Sequence, residues 1–93
     1  MKNGTKRTEE EKEEIRILHN KISYNIKKYR KKRHYTQQEL SELARISYDF
    51  MRRIETTSGD CGFSVYTLYK LALALNVSID ELVELNLGNC VEE

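Results

Sequence analysis

The sequence contains no proline and only four glycines, the two residue types that most often interrupt helices. It also lacks any apolar run near the roughly 18 residues of a membrane-spanning helix, and its N-terminus lacks the apolar core of a signal peptide. The first absence argues against a fold rich in turns and sheet, and the second argues against a membrane-embedded protein. We therefore expect an all-α, cytoplasmic protein.

Residues that carry enzymatic chemistry are also scarce. The two cysteines, Cys61 and Cys90, have no CxxC spacing and no histidine at metal-ligand spacing. We interpret both as free thiols in a reducing compartment, although a disulfide between them or a thiol sensor stays open. The sequence has no glycine-rich phosphate loop, paired carboxylates or Ser/His/Asp constellation. We predict no enzyme, no metal and no cofactor.

The chain has 93 residues, which is enough for one small domain. Charged residues are abundant in it, and they are unevenly distributed along the sequence. The net charge is only +1, yet residues 16–53 hold eleven Lys or Arg against three acids, a balance of +8. Residues 8–14 carry five glutamates against one lysine, and residues 80–93 carry five acids and no base. A polyanion-binding surface is therefore expected in the middle of the chain.

The stretch 36–55, TQQELSELARISYDFMRRIE, predicts two short helices joined by a tight turn. Thr36 and Glu39 form a capping box, the turn falls at Arg45 and Ile46, and Ser47 caps the second helix. Apolar residues keep a helical spacing on both sides of the turn: Leu40, Leu43 and Ala44, then Met51 and Ile54. This pattern is typical of a helix-turn-helix, whose second helix suits a DNA major groove.

Helices are predicted on both sides of this motif. A capping box over Thr8–Glu11 opens a helix that runs to about Arg33, with Asn20 as the likeliest break. Ser64 caps a helix after a loop at 56–62, and a capping box over Ser78–Glu81 opens a last helix through Leu82, Val83 and Leu85. Apolar stripes mark the faces of the first and fourth helices: Ile15, Leu18, Ile22, Ile26 and Tyr29, then Leu68, Leu71, Ala72 and Leu75.

Over about residues 20 to 85 the sequence resembles the lambda-repressor-like (Cro/repressor, xenobiotic-response-element) helix-turn-helix transcriptional regulators. Six blocks match in order: Ile22, Ile26 and Arg30; Thr36, Gln37, Glu39 and Leu40; Ser47, Ile54 and Glu55; Leu68, Leu71 and Ala72; residues 74–78; Asp80, Glu81 and Leu82. The resemblance implies a compact five-helix DNA-binding bundle with an N-terminal helical extension. The expected divisions are a basic tail and extension at 1–19, the domain at 20–87 and a tail at 88–93.

The resemblance also implies roles for single residues. Arg30 would form a buried ion pair with Glu55, and Gln37 and Ser47 would hold the DNA backbone. Base edges would be read from the helix 47–56 by Tyr48, Asp49, Arg52 and Arg53, with Phe50 against a thymine methyl. From the basic run before the motif, Lys31, Lys32 and Arg33 are candidates for phosphate contact or for a general positive field. In relatives the final helix often forms a two-fold interface, and Leu85, Leu87 and Val91 would either serve there or pack within the monomer.

Three features depart from the family's pattern. Arg45 stands where the turn glycine is expected, so the turn either differs or holds a strained residue at positive φ. The loop at 56–62 contains Asp60 and no base. The extension at 8–19 must bury its apolar stripe within the monomer or against a second subunit. Residues 1–7 are either a frayed terminus or an arm that touches DNA.

The predicted function is a sequence-specific DNA-binding transcriptional regulator, expected to be a repressor, that binds double-stranded DNA as a homodimer on a roughly palindromic operator. The alternative is a protein-interaction module of the same fold, such as an antitoxin or accessory regulator that binds a partner protein.

Overall fold

The first helix, α1, spans Glu9–Lys32 in a computed structural model that describes residues 8–56 and 64–84. The Thr8 hydroxyl accepts from the Glu11 amide at 3.0 Å, and the Glu11 carboxylate accepts from the Thr8 amide at 3.1 Å. This confirms the predicted capping box. Of the two possibilities that the sequence left open, an unbroken helix to about Arg33 and a break at Asn20, the structure has the unbroken helix.

The helix-turn-helix consists of α2, Gln37–Ala44, and α3, Tyr48–Glu55. The capping box of Thr36 and Glu39 opens α2, and the Ser47 hydroxyl accepts from the Phe50 amide at 3.0 Å to open α3. Both caps are as predicted, and each satisfies an amide that has no partner inside its own helix.

The C-terminal part of the described chain holds α4, Val65–Leu75, and α5, Ile79–Leu82. Ser64 caps α4, and the predicted capping box at Ser78 opens α5. The last helix is shorter than expected, because Val83 is its C-cap rather than part of it. Its predicted continuation to Leu85 lies outside the described residues.

Three helices end on a residue in the left-handed region that is not glycine: His34 at φ 64°, and Arg45 and Asn76 both at φ 60°. In each case the next amide donates to a carbonyl five residues back, as Ile46 N does to Ser41 O at 3.0 Å. These are Schellman ends, which stop a helix abruptly and reverse the chain. Of the two alternatives left open for Arg45, the strained residue at positive φ is therefore the one observed.

Arg45→Gly is expected to raise the free energy of unfolding by about 0.5 to 1 kcal/mol, since glycine avoids the steric cost of the left-handed conformation. Arg45→Ala is the matched control, because alanine loses the same charge but keeps the Cβ, and it should leave stability within about 0.5 kcal/mol. Urea unfolding measures both. If the glycine variant were no more stable than the alanine variant, the positive φ at Arg45 would not be a source of strain.

The helices enclose one core of apolar side chains, each less than a tenth exposed: Ile22, Ile26, Leu40, Ala44, Met51, Ile54, Leu68, Leu71, Ala72, Leu75 and Leu82. Leu18 of the extension packs on the edge of this core, whereas Ile17 is 55% exposed. Leu43 shares the helical spacing of the core residues but lies outward, 53% exposed. In the described residues, no helix has the length and apolar content needed to cross a membrane.

The outward side of α4 is apolar as well. Tyr66, Tyr69 and Leu73 are 67%, 50% and 62% exposed, and they follow the i, i+3, i+7 spacing of a helix-packing seam. Lys70 is the one charged residue of the helix, and its ammonium lies 3.3 Å from the Arg45 carbonyl. Helix α4 packs on α1, α2 and α5, so this seam faces away from all three.

Candidate nucleic-acid interface

A buried ion pair fixes the end of α3 against α1. The guanidinium of Arg30 donates from Nε and Nη2 to the two carboxylate oxygens of Glu55, at 2.7 and 3.0 Å, and from Nη1 to the Tyr35 carbonyl at 2.8 Å. The side chains are only 10% and 2% exposed. Because the arginine is bidentate and the pair is shielded from solvent, it sets both the position and the rotation of α3.

Two further hydrogen bonds tie α3 to its neighbours. Gln37, at the start of α2, donates from Nε2 to Glu55 Oε1 at 3.0 Å, and Ser23 of α1 donates its hydroxyl to the Ile54 carbonyl at 2.6 Å. The side-chain amide of Gln37 is therefore engaged within the protein. What Gln37 still offers to a phosphate is the second N–H of that amide and its backbone N–H in the first turn of α2, where helix N–H groups lack intrahelical partners.

The opposite side of α3 faces outward. Met51, Ile54 and Glu55 are buried, while five expected DNA-contacting residues are exposed: Ser47, Tyr48, Asp49, Arg52 and Arg53. Phe50 is half-buried and packs on the core, so only part of its ring is left for a thymine methyl. The Ser47 hydroxyl oxygen is occupied as the N-cap, and its proton remains for a phosphate.

A groove of about 430 Å³ lies between this face and the neighbouring helices. It is lined almost entirely by polar and charged side chains: Lys27, Gln37, Asp49, Arg52, Arg53, Glu55 and Thr56. Since Arg30 and Glu55 neutralise one another, Lys27, Arg52 and Arg53 supply its positive charge, with Asp49 opposing them. The groove has the polarity of a phosphate-facing surface rather than of an apolar ligand pocket.

Six bases form a run at the end of α1: Lys27, Lys28, Arg30, Lys31, Lys32 and Arg33. They are distributed around the helix. At about 100° per residue, Lys27 lies about 60° from Arg30, whereas Lys32 lies about 160° away, on the far side. Lys32 stands over the Tyr29 ring at 5.9 Å, as Lys28 does at 5.0 Å. The run therefore presents different lysines to different sides of the bundle.

Arg33 has a separate environment. Its guanidinium donates to the Leu75 carbonyl at 2.8 Å and to the Asn76 carbonyl at 3.2 Å, at the C-terminus of α4. A cation is favourable there because the last carbonyls of a helix are unpaired and carry partial negative charge. A phosphate contact by Arg33 would compete with these two bonds.

Sequence reasoning missed Lys27 and Ser23 as neighbours of α3. A usable signal was present, because Ser23, Lys27 and Arg30 follow one another at i, i+4 and i+7 and so share a face of α1. Once Arg30 is assigned to Glu55, the same face must carry the other two residues toward α3. The spacing thus selects Lys27 from the six bases of the run.

The family model for the Cro/C1-type HTH DNA-binding domain matches residues 25–87, about two thirds of the chain. The chain belongs to this family. The match begins inside α1, so the first turns of that helix precede the family domain. Comparison with curated proteins and with solved structures gave no significant match.

Membership of the Cro/C1-type family makes the chain a DNA-binding transcriptional regulator, of a family that is typically non-enzymatic. The five helices of residues 8–56 and 64–84 agree with the expected all-α bundle. Several expectations concern residues outside the described ranges: the arm at 1–7, the loop with Asp60 and Cys61, and the C-terminal residues Leu85, Leu87, Cys90 and Val91. They stay predictions.

Proposed function

We propose that this Cro/C1-type protein is a sequence-specific repressor that acts in the cytoplasm as a homodimer on a roughly palindromic operator. The observation that carries the proposal is the outward face of α3, which presents Tyr48, Asp49, Arg52 and Arg53 together. An arginine can donate two bonds to the N7 and O6 of guanine, and an aspartate can accept from the N4 of cytosine. The buried ion pair of Arg30 and Glu55 fixes the position of the helix that carries these side chains.

The experiment that tests this proposal is selection of bound duplexes from a random DNA pool. A sequence-specific homodimer should enrich two related half-sites whose centres lie about one helical turn apart. Enrichment of a single half-site would support sequence-specific binding and would contradict binding as a homodimer. Recovery of no enriched sequence would reject sequence-specific recognition altogether.

Phosphate contacts are proposed for Lys27 and Lys31, on the α3 side of α1, with Lys32 facing away. Lys27→Ala is expected to weaken binding uniformly across sequences and to lower the slope of log K against log salt by about one. Lys32→Ala removes the same charge from the same helix and should change the slope by less than half as much. Fluorescence anisotropy at several salt concentrations measures both, and equal slopes for the two variants would contradict the assignment.

The alternative function is a protein-interaction module, and the seam on α4 favours it. Tyr66, Tyr69 and Leu73 each expose half or more of their surface on one side of α4, and a partner that covered them would remove apolar surface from water. The same seam could join two copies across a two-fold axis, with Lys70, whose ammonium lies 4.7 Å from the centre of the Tyr66 ring, at its edge. Sedimentation equilibrium separates the cases: a dimer supports the repressor proposal, and a monomer that selects no DNA supports the interaction module.

A further inference from the structure

The exposed side of α3, which carries Tyr48, Asp49, Arg52 and Arg53, is here called the recognition face. One carboxylate, that of Asp49, lies between its two arginines. Asp49 Oδ1 is 3.9 Å from Arg52 Nη1, and Asp49 Oδ2 is 3.7 Å from Arg53 Nε. These are the i, i+3 and i, i+4 positions of α3, so all three side chains project from one side of the helix. The two strongest candidate readers of guanine therefore share a single acidic partner.

Each arginine also has an aromatic neighbour on the same helix. The Arg52 guanidinium carbon is 5.8 Å from the centre of the Tyr48 ring, and that of Arg53 is 5.7 Å from the centre of the Phe50 ring. Cation–π contacts of this length favour one orientation of a flexible side chain over others. Together the carboxylate and the rings hold both guanidinium groups before any DNA is present.

These pairs are easily exchanged. Asp49 is 75% exposed, and the side chains of Arg52 and Arg53 are 59% and 64% exposed. Water screens such contacts, so the arginines can leave the carboxylate when a better acceptor is offered. The carboxylate itself stays in the groove beside Lys27, where any phosphate that enters meets a like charge.

The cost of this charge depends on the DNA sequence. A duplex with a cytosine N4–H₂ at the right position gives Asp49 a donor and gives a neighbouring arginine the paired guanine. A duplex without that base pair leaves the carboxylate unpaired against the phosphate backbone. Asp49 thus penalises wrong sequences more than it favours the right one, which is how a repulsive element produces specificity.

We propose that Asp49 is the specificity-determining residue of the α3 face: it restrains Arg52 and Arg53 in the free protein and opposes binding to duplexes that offer its carboxylate no base donor. The proposal rests on the proposed DNA-binding function. It differs from an ordinary base contact because its main effect falls on non-specific DNA, where an ordinary contact would have none.

The test compares Asp49→Asn with Asp80→Asn by anisotropy on two duplexes, the sequence selected by the wild-type protein and one of scrambled sequence. Asp80 is a matched control, because it is exposed and lies in the first turn of α5 as Asp49 does in α3. D49N is expected to bind the scrambled duplex about 3-fold to 10-fold more tightly and the selected duplex no more tightly, so the selectivity ratio falls by at least about 3-fold to 10-fold. D80N should change each affinity less than 2-fold.

Three outcomes would overturn the proposal. Equal tightening by D49N and D80N would show an effect of net charge alone, and an unchanged ratio for D49N would show that Asp49 takes no part in selectivity. In both cases the wild-type protein still discriminates between the duplexes, so the proposed function survives. If the wild-type protein binds neither duplex, both the function and this inference fail. Circular dichroism verifies that each variant keeps its helices.

Discussion

Glu55→Ala is expected to lower the free energy of unfolding by about 3 kcal/mol. The substitution leaves the Arg30 guanidinium buried without its carboxylate, and the side chains of the pair are only 10% and 2% exposed. It also removes the acceptor of the Gln37 side chain. Since a domain of this size has a total stability of about 5 to 15 kcal/mol, the loss should be plain in urea or thermal unfolding.

The exposed pair of Glu13 and Arg16 is the control for this prediction. Glu13 Oε1 lies 2.8 Å from Arg16 Nη2, and the two side chains are 54% and 49% exposed. Glu13→Ala should therefore lower the free energy of unfolding by less than about 1 kcal/mol, although it also removes a carboxylate bonded to arginine. A double replacement of Arg30 and Glu55 by apolar residues of similar size should recover much of the loss. An effect of Glu55→Ala no larger than that of Glu13→Ala would contradict the role given to the buried pair.

Arg53→Ala is expected to weaken binding to the selected operator about 10-fold to 100-fold, because it removes a candidate bidentate contact with guanine. On a scrambled duplex the same variant should lose much less, since it forfeits only part of a charge interaction. Electrophoretic mobility shifts or anisotropy on the two duplexes measure both losses. The difference between them reports base reading separately from general attraction.

Lys12→Ala supplies the control for Arg53→Ala. Lys12 is an exposed base that lies about 22 Å along α1 from Lys27, at the 1.5 Å rise of a helix, so it should affect both duplexes by less than 2-fold. If Arg53→Ala weakened both duplexes equally, Arg53 would be a phosphate contact. If it left the selected duplex unchanged, the recognition face would have to be reassigned.

The helices themselves were largely predictable from the sequence because their signals are local. The capping boxes at Thr8, Thr36 and Ser78 each involve residues three apart, and each is present in the structure. For α1 the sequence left an unbroken helix and a break at Asn20 both open, because asparagine is a poor helix former, and the helix is unbroken. The exposure of Leu43 could not be predicted from the sequence, because helical spacing alone does not say which residues of an apolar stripe face the core.

The details of the candidate site depended on contacts between distant parts of the chain. Arg33 reaches Leu75, a residue 42 positions away, so the local run of bases gave no sign that it caps α4. Gln37 reaches Glu55 across 18 positions in the same way. Such partners depend on how the helices pack against one another, and the residue types in the sequence do not determine that packing by inspection. Lys27 differs, because its spacing from Arg30 was a local signal that could have placed it on the α3 side, although it was not singled out from the sequence.

The proposed function requires that α3 enters the major groove and reads bases there. Methylation interference on the selected duplex distinguishes the two grooves, because N7 of guanine lies in the major groove and N3 of adenine lies in the minor groove. We predict that methylation at guanine N7 in each half-site blocks the wild-type protein, whereas methylation at adenine N3 does not. Interference confined to adenine N3, or none at either position, would contradict recognition by α3.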